Sequence, residues 1–268
     1  GMAIRNKIPV VSLENFYEAL FGRVSPEYAG NPSWALEHVL PKCQGLYPRI
    51  KRVLNLLIAG AAVAALAPLW ALVYAAIKLV DGVPPIYGQR RVGMLGKEFM
   101  LWKFRTMAVN AEAAGPFASG REHAARVTRL GGWLRRFRLD ELPQLWNVFK
   151  GEMSLVGPRP EWVKEVEVLE KVVPSYHLRH LVAPGITGWA QVYYRATSNP
   201  KDSIEKHHYD LYYLKYFSFA LDCAILLKTL KRIFIKDSLL PVTNSLRPRF
   251  YGLTGRKLAD LSSVIVRN

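Results

Sequence analysis

The chain has 268 residues, half of them hydrophobic, and it is too rich in aliphatic and aromatic side chains to be an unfolded tail. Its 37 Lys and Arg against 21 Asp and Glu give a formal charge of +16, so anionic partners are expected: phosphates, nucleic acid or an acidic lipid surface. The two cysteines, Cys43 and Cys223, show no pairing pattern, which argues against a disulfide scaffold and suits a working part facing a reducing cytosol.

Residues 1–46 read as an N-terminal extension or linker, with one helical pattern, LENFYEALFG, and then a stretch punctuated by Pro, Gly and Asn through Pro41. From Val53 to Ile77 the chain runs 25 residues without a charge, and roughly 20 apolar residues suffice to cross a bilayer. The segment lacks the usual marks of a cleaved signal peptide, with no obvious small-residue cleavage site after it, so it is expected to stay in the mature protein. Pro68 removes a helical hydrogen bond and clashes with the preceding turn, so a kink is expected at Ala67 and Pro68. Lys51 and Arg52 precede the segment, and Lys78, Arg90, Arg91, Lys97, Lys103 and Arg105 follow it. The positive-inside rule then wants both ends on the cytoplasmic side. A re-entrant helix over residues 51–80, which enters, bends and returns, satisfies both constraints; a spanning helix with a tolerated proline is the alternative.

IYGQRRVG and KEFMLWKFRTM, on either side of Met94 to Gly96, predict a β-hairpin. AEAAGPFASGREH reads as less ordered. VTRLGGWLRRFRLDELPQLWNVFKGEMSLVGPRPEW is the densest stretch, and HLVAPGITGWAQVYYR follows after a helical run. Asp202 and Glu205 make a D-x-x-E helix start, and the chain reads as helical to about Lys236. That run is apolar and aromatic, with Lys228, Lys231 and Arg232 near its end, so it suits either a membrane interface or a protein core. Residues 237–268 form a tail with little signal, and there is no internal repeat.

The chemistry concentrates in RLDELPQL. Proline is tolerated in the first turn of a helix, so Pro143 places Asp140 and Glu141 at a helix N-terminus, where free N–H groups favour phosphate and keep a carboxylate ionised. Arg129, Arg135, Arg136 and Arg138, with Lys103 and Arg105 upstream, supply cations for phosphoryl oxygens. Taken alone, a DE pair of this kind is more often a helix cap beside a solvated basic face. The rigid turn Gly157-Pro158-Arg159-Pro160 and the loop punctuated by Pro184, Gly185 and Gly188 shift the balance toward a built site.

KFRTM, LDELPQLWNVFKGEMSLVGPRPE and PGITGWAQV together resemble the signature blocks of the bacterial sugar transferase family, the monotopic polyprenyl-phosphate phosphoglycosyltransferases, over roughly Tyr47 to Lys236. The resemblance implies a mostly helical α+β, membrane-associated domain with a re-entrant helix, interfacial amphipathic helices and a small hairpin. It also implies transfer of a phosphosugar from a UDP-sugar to polyprenyl phosphate through a covalent intermediate, at the cytoplasmic face of the bacterial inner membrane, as the first membrane step of exopolysaccharide, capsule or O-antigen synthesis. By the same resemblance Asp140 is the nucleophile and Mg²⁺ ligand, and Glu141 acts as base or holds metal and geometry. Lys103, Arg105, Arg135, Arg159, Gln191 and Arg195 match substrate-binding positions. The chain departs from common members with Ala67-Pro68 where Ser-Pro is usual, and with Tyr193-Tyr194-Arg195 where Asn-Gly-Arg is usual, which bears on sugar or nucleotide preference. IPVVSLENFYEALFGRVSPEY resembles the segment preceding the catalytic domain of larger members, so a fragment or a natural short form is expected.

Other classes fit less well. The seven aspartates contain no Asp-x-Asp, and neither GMLGKE nor GLTGRK has nucleotide-fold glycine spacing. His177, His180, His207 and His208 lack a zinc context and read as packing or helix-surface residues. A non-enzymatic, membrane-anchored basic module would explain the charge and the apolar segment but not the three blocks. The expected partners are therefore a UDP-sugar, polyprenyl phosphate and membrane lipids rather than nucleic acid, with homo-oligomerisation left open.

Overall fold

A computed structural model describes residues 12–107, 126–194 and 200–234. It opens with four short helices, α1 (Leu13–Phe21), α2 (Pro26–Ala29), α3 (Pro32–His38) and α4 (Leu40–Cys43). The Ser12 hydroxyl accepts from the Asn15 N–H at the start of α1, and Gly22, in the left-handed region at φ 61°, ends it. This stretch, expected as a linker-like extension, is built into the main core. Val24, Ala29, Trp34 and Val39 are buried with Leu211, Tyr213, Leu214, Phe217 and Ile225. Glu18, buried on α1, meets the Lys215 ammonium at 2.8 Å and accepts from the Tyr216 hydroxyl at 2.9 Å. The Trp189 indole donates to the Gly22 carbonyl at 2.7 Å.

Helix α5 (Leu46–Val80) carries the long apolar run and continues as helix through Pro68. Its mean hydropathy reaches 2.3, and only 11% of that window is buried, which separates it from a core helix of a soluble protein. Its attachments lie at both ends. Before Pro68, Lys51 pairs with Asp222 at 2.6 Å, Arg52 donates to the Val148 carbonyl at 2.9 Å, and Asn55 donates to the Ser154 hydroxyl at 2.9 Å. Ala59 packs with Leu101, Val148 and Met153. After Pro68, Trp70 meets Phe104 edge-on at 6.4 Å, and Val73 and Ile77 pack with Phe104 and Leu134. Just past the helix, Asp81 accepts from the Thr128 hydroxyl at 2.8 Å.

The expected hairpin forms: β1 (Ile86–Val92) runs antiparallel to β2 (Glu98–Phe104), from Ile86 opposite Phe104 to Val92 opposite Glu98, around a tight turn at Met94–Gly96. Helices α6 (Arg129–Arg136) and α7 (Gln144–Lys150) flank a single 3₁₀ turn, Leu139–Glu141. Strand β3 (Ser154–Val156) pairs in parallel with β4 (Gly185–Thr187), and α8 (Val163–Val172) and a 3₁₀ segment at Tyr176–Leu181 lie between them in sequence. Two two-stranded sheets among many helices make the α-rich α+β class. After α9 (Trp189–Tyr193), the single C-terminal helical run expected from Asp202 is instead two helices, α10 (Pro200–Tyr216) and α11 (Phe219–Phe234). They separate at Phe217 and Ser218, where the Ser218 hydroxyl accepts from the Leu221 N–H and starts the second helix. The expected less ordered stretch from Ala111 to His123 and the C-terminal tail lie outside the described residues.

Candidate active site

Asp140 and Glu141 do not occupy the first turn of α7, as the proline suggested, but the 3₁₀ turn that leads into it. Arg138 adopts the left-handed conformation at φ 58°, turning the chain out of α6, and the Leu142 N–H closes on the Leu139 carbonyl. Pro143 then takes the cap position of α7 with φ −60°, which suits its ring. The acidic pair is thus fixed on a tight turn between two helices.

Three cations from three places converge on Glu141. Arg159, from the GPRP turn, approaches at 3.1 Å; Arg138, from the same turn, at 3.7 Å; and Lys103, from β2, at 3.8 Å. Burial by itself would raise the Glu141 carboxyl, but Arg159, Lys103 and Arg138 together outweigh it and hold it at about 2. Burial, reinforced by Arg159, lowers Lys103 to about 8. Asp140 is shifted the other way: burial and the neighbouring Glu141 charge raise its carboxyl, with Lys103 and Arg135 opposing. Asp140 makes no ion pair with any described residue. Arg135 donates to the Thr106 hydroxyl at 2.8 Å, which fixes its guanidinium on the Asp140 side.

Behind this cluster lies a second buried network. Arg179 donates to the Arg159 carbonyl at 2.9 Å and to the Tyr176 hydroxyl at 2.5 Å, and it pairs with Asp210 at 2.9 Å and Glu161 at 3.7 Å. Arg91 donates to the Pro160 carbonyl at 3.2 Å and lies 3.9 Å from Glu161. These groups hold the backbone of the turn that presents Arg159. The sequence pointed to no role at the site for Glu161, Arg179 or Asp210, and it gave Arg91 only as one of the cations flanking the apolar segment. Glu161 directly follows GPRP and could have been flagged there, but Arg179 and Asp210 lie on separate elements with no spacing pattern to join them.

The GPRP turn and the PGITG loop are fused backbone to backbone. Gly157 donates to the Thr187 carbonyl and Gly185 to the Pro158 carbonyl, each at 2.8 Å. A Cβ on Gly185 would lie 2.1 Å from the Gly157 nitrogen, so this approach excludes a side chain. Gln191 uses its amide to bond the Ile186 carbonyl at 2.8 Å and receives Arg232 on its own carbonyl, so it braces this loop. Arg105 donates to the Pro84 carbonyl and lies over the Tyr87 ring at the base of the hairpin. Of the expected substrate-binding residues, Lys103, Arg135 and Arg159 therefore gather at the acidic pair, Arg105 and Gln191 bond to nearby backbone, and Arg195 lies outside the described residues. Ala67 and Pro68 sit mid-helix in α5. His207 is buried with its ring 3.3 Å from the Ser175 hydroxyl, His208 is mostly buried, and no group of three metal-binding side chains occurs among the described residues.

Comparison with known proteins gives this arrangement a context. The model of the family described as bacterial sugar transferase matches residues 46–236. A UDP-N-acetylgalactosamine-undecaprenyl-phosphate N-acetylgalactosaminephosphotransferase of Aeromonas hydrophila is 40% identical over 227 residues, 84% of this chain and 52% of its own length. UDP-glucose:undecaprenyl-phosphate glucose-1-phosphate transferases are 41% identical in Xanthomonas campestris pv. campestris and 37% in Escherichia coli K12. The matches cover 64% and 72% of this chain, and 37% and 42% of those proteins. The chain spans about half or less of the length of these relatives.

Proposed function

The chain belongs to the bacterial sugar transferase family, and on that premise we propose that it moves a phosphosugar from a UDP-sugar to polyprenyl phosphate, releasing UMP and yielding a polyprenyl diphosphate sugar. The names of its relatives support the reaction class. One observation carries the assignment of roles: of two adjacent carboxylates, Glu141 is committed to three cations while Asp140 has no ion-pair partner among the described residues. The committed carboxylate is a poor base at about 2, so Glu141 holds Lys103 and Arg159 in place, and Asp140 is the nucleophile.

An Asp140 carboxylate oxygen attacks the β-phosphorus of the UDP-sugar. The bond from that phosphorus to the bridging oxygen breaks, UMP departs with the oxygen, and the phosphosugar remains on Asp140 as an acyl phosphate. A phosphate oxygen of the polyprenyl phosphate then attacks the same phosphorus and returns the Asp140 carboxylate. Lys103, Arg135 and Arg159 neutralise charge on the phosphoryl oxygens through both displacements. The donor set also suits Mg²⁺, which commonly takes one or two carboxylates together with substrate phosphates and water. Asp140 is the uncommitted carboxylate that would hold it. When bound, the ion supplies further neutralisation of the diphosphate.

We further propose that α5 is re-entrant and that the domain sits on the cytoplasmic face of the bacterial inner membrane, catalysing the first membrane step of exopolysaccharide, capsule or O-antigen synthesis. A spanning helix would carry its second half through about 30 Å of hydrocarbon, away from the body that holds its first half. What supports re-entry is that residues on both sides of Pro68, from Lys51 to Asn55 and from Trp70 to Asp81, are bonded to or packed on that same body. Relatives of nearly equal identity are named for different sugars, N-acetylgalactosamine and glucose, so both UDP-sugars belong in the donor panel.

The test is UMP release from a panel of UDP-sugars with polyprenyl phosphate and Mg²⁺. Release is expected with one donor and is expected to vanish in Asp140→Asn. Turnover that survives Asp140→Asn would remove the nucleophile assignment. Salt-sensitive DNA binding with no turnover would favour a basic binding module.

A further inference from the structure

A shallow cleft of about 340 Å³ opens between α5, the hairpin and α7, apart from the ion cluster. It is lined by Trp70, Ile86, Trp102, Pro143, Trp146 and Lys150. Five of these six are apolar or aromatic. The one charged member, Lys150, lies 3.9 Å from Glu152, and the buried Trp70 indole N–H has no acceptor among the described residues. A sugar or a nucleotide needs several hydrogen-bonding groups on its walls, and this cleft supplies almost none.

Its position says more than its composition. Trp70 comes two residues after Pro68 in the exposed apolar helix, and Pro143 comes three residues after Asp140. The cleft therefore joins the edge of the exposed apolar stretch of α5, where Trp70 turns onto Phe104, to the turn that carries the nucleophile. Trp146 is 41% exposed and stacks on Phe149 at 5.5 Å, so the indole wall continues onto the outer apolar surface of the molecule. Resting on the reaction proposed above, we infer that this cleft takes the isoprene units next to the phosphate of the polyprenyl phosphate acceptor. The phosphate lies on the Asp140 side of Pro143, and the chain runs past Trp102 and Trp146 toward Trp70. At the low end of the roughly 300–1,000 Å³ typical of ligand pockets, the cleft holds the first few units, and the rest of the chain lies in lipid along α5.

The two half-reactions separate this inference from the reaction itself. With the full chain in nanodiscs, the burst of UMP from donor alone reads the first displacement, and the KM for the acceptor reads the second. Trp146→Ala, at an exposed position, is expected to keep the burst within about twofold and to raise the KM for a polyprenyl phosphate about tenfold, as loss of one large apolar contact would. In the unaltered protein, KM should fall as the acceptor lengthens over its first few isoprene units and then level off, and Trp102→Leu should flatten that dependence. An unchanged acceptor KM with an intact burst overturns the inference, as does an equal loss in both half-reactions. Tryptophan fluorescence gives a readout that needs no turnover: a short-chain polyprenyl phosphate should quench it saturably, and Trp146→Ala should weaken that quenching. If no donor yields a burst, the reaction proposal fails, and this titration still decides the cleft. Equal quenching by a saturated alkyl phosphate would mean that the cleft takes any apolar chain, bilayer chains included, and would overturn its assignment to the isoprenoid.

Discussion

At the scale of single residues, the acidic pair shows how position on one turn gives two carboxyl groups opposite chemistry. Glu141 faces Arg159, Lys103 and Arg138 and stays ionised to about 2, whereas burial and the Glu141 charge raise its neighbour Asp140. Lys103 carries the pH dependence that follows. Its folded value of about 8 lies below its ordinary value, so the cation is present below about 8 and is lost as pH rises through that value. The donor kcat/KM, which reports groups of the free enzyme, is expected to fall on the alkaline side with an apparent pKa near 8. In Lys103→Arg that limb should move beyond the accessible range, because guanidinium does not titrate there. An unmoved alkaline limb would assign it to another group. The types and order of these side chains were readable from KFRTM, LDELP and GPRP. That Glu141 is the sequestered member was not, because its three partners come from β2, the 3₁₀ turn and the turn after β3.

At the scale of elements, α5 poses the sharpest question. Its length, its lack of charge from Val53 to Ile77 and Pro68 were all visible in sequence. Spanning and re-entrant helices share those features, and the difference lies in what each flank touches. Lys51 on Asp222 before the proline, and Asp81 accepting from Thr128 after it, place both flanks on one body. With Cys43 and Cys223 replaced, single cysteines at the exposed Leu46 and Val80 are expected to react with an impermeant thiol reagent from the same side of sealed vesicles. Labelling from opposite sides would make the helix spanning. The hairpin was legible because alternation and the turn at Met94–Gly96 are local signals. The break between α10 and α11 was not, since YLKYFSFALD is apolar on both sides of Ser218 and periodicity continues across it.

At the scale of the whole molecule, the N-terminal helices hold the C-terminal ones. Glu18 is 2% exposed and ion-paired with Lys215, itself mostly buried. Removing one partner of a buried pair strands the other charge, so Glu18→Ala is expected to destabilise the protein by about 3 kcal/mol. Thermal unfolding in detergent would measure this, and an unchanged melting temperature would show that the Glu18–Lys215 pair adds nothing to stability. From sequence, residues 1–46 looked like an extension because they show one short helical pattern followed by a stretch punctuated by Pro, Gly and Asn. Short range is what such signals report. The burial of Val24, Trp34 and Val39 against Leu211 and Tyr213 depends on contacts across more than 170 positions, which no local pattern encodes. By itself, the sequence determined the family, the apolar helix and the hairpin, and it singled out Asp140 and Glu141 as candidates, since each rests on residue types at fixed short spacing. Only the tertiary structure decided which carboxylate is neutralised, that Arg179 braces the Arg159 turn, and that three tryptophans from three elements wall one cleft, because those facts are set by which distant segments meet.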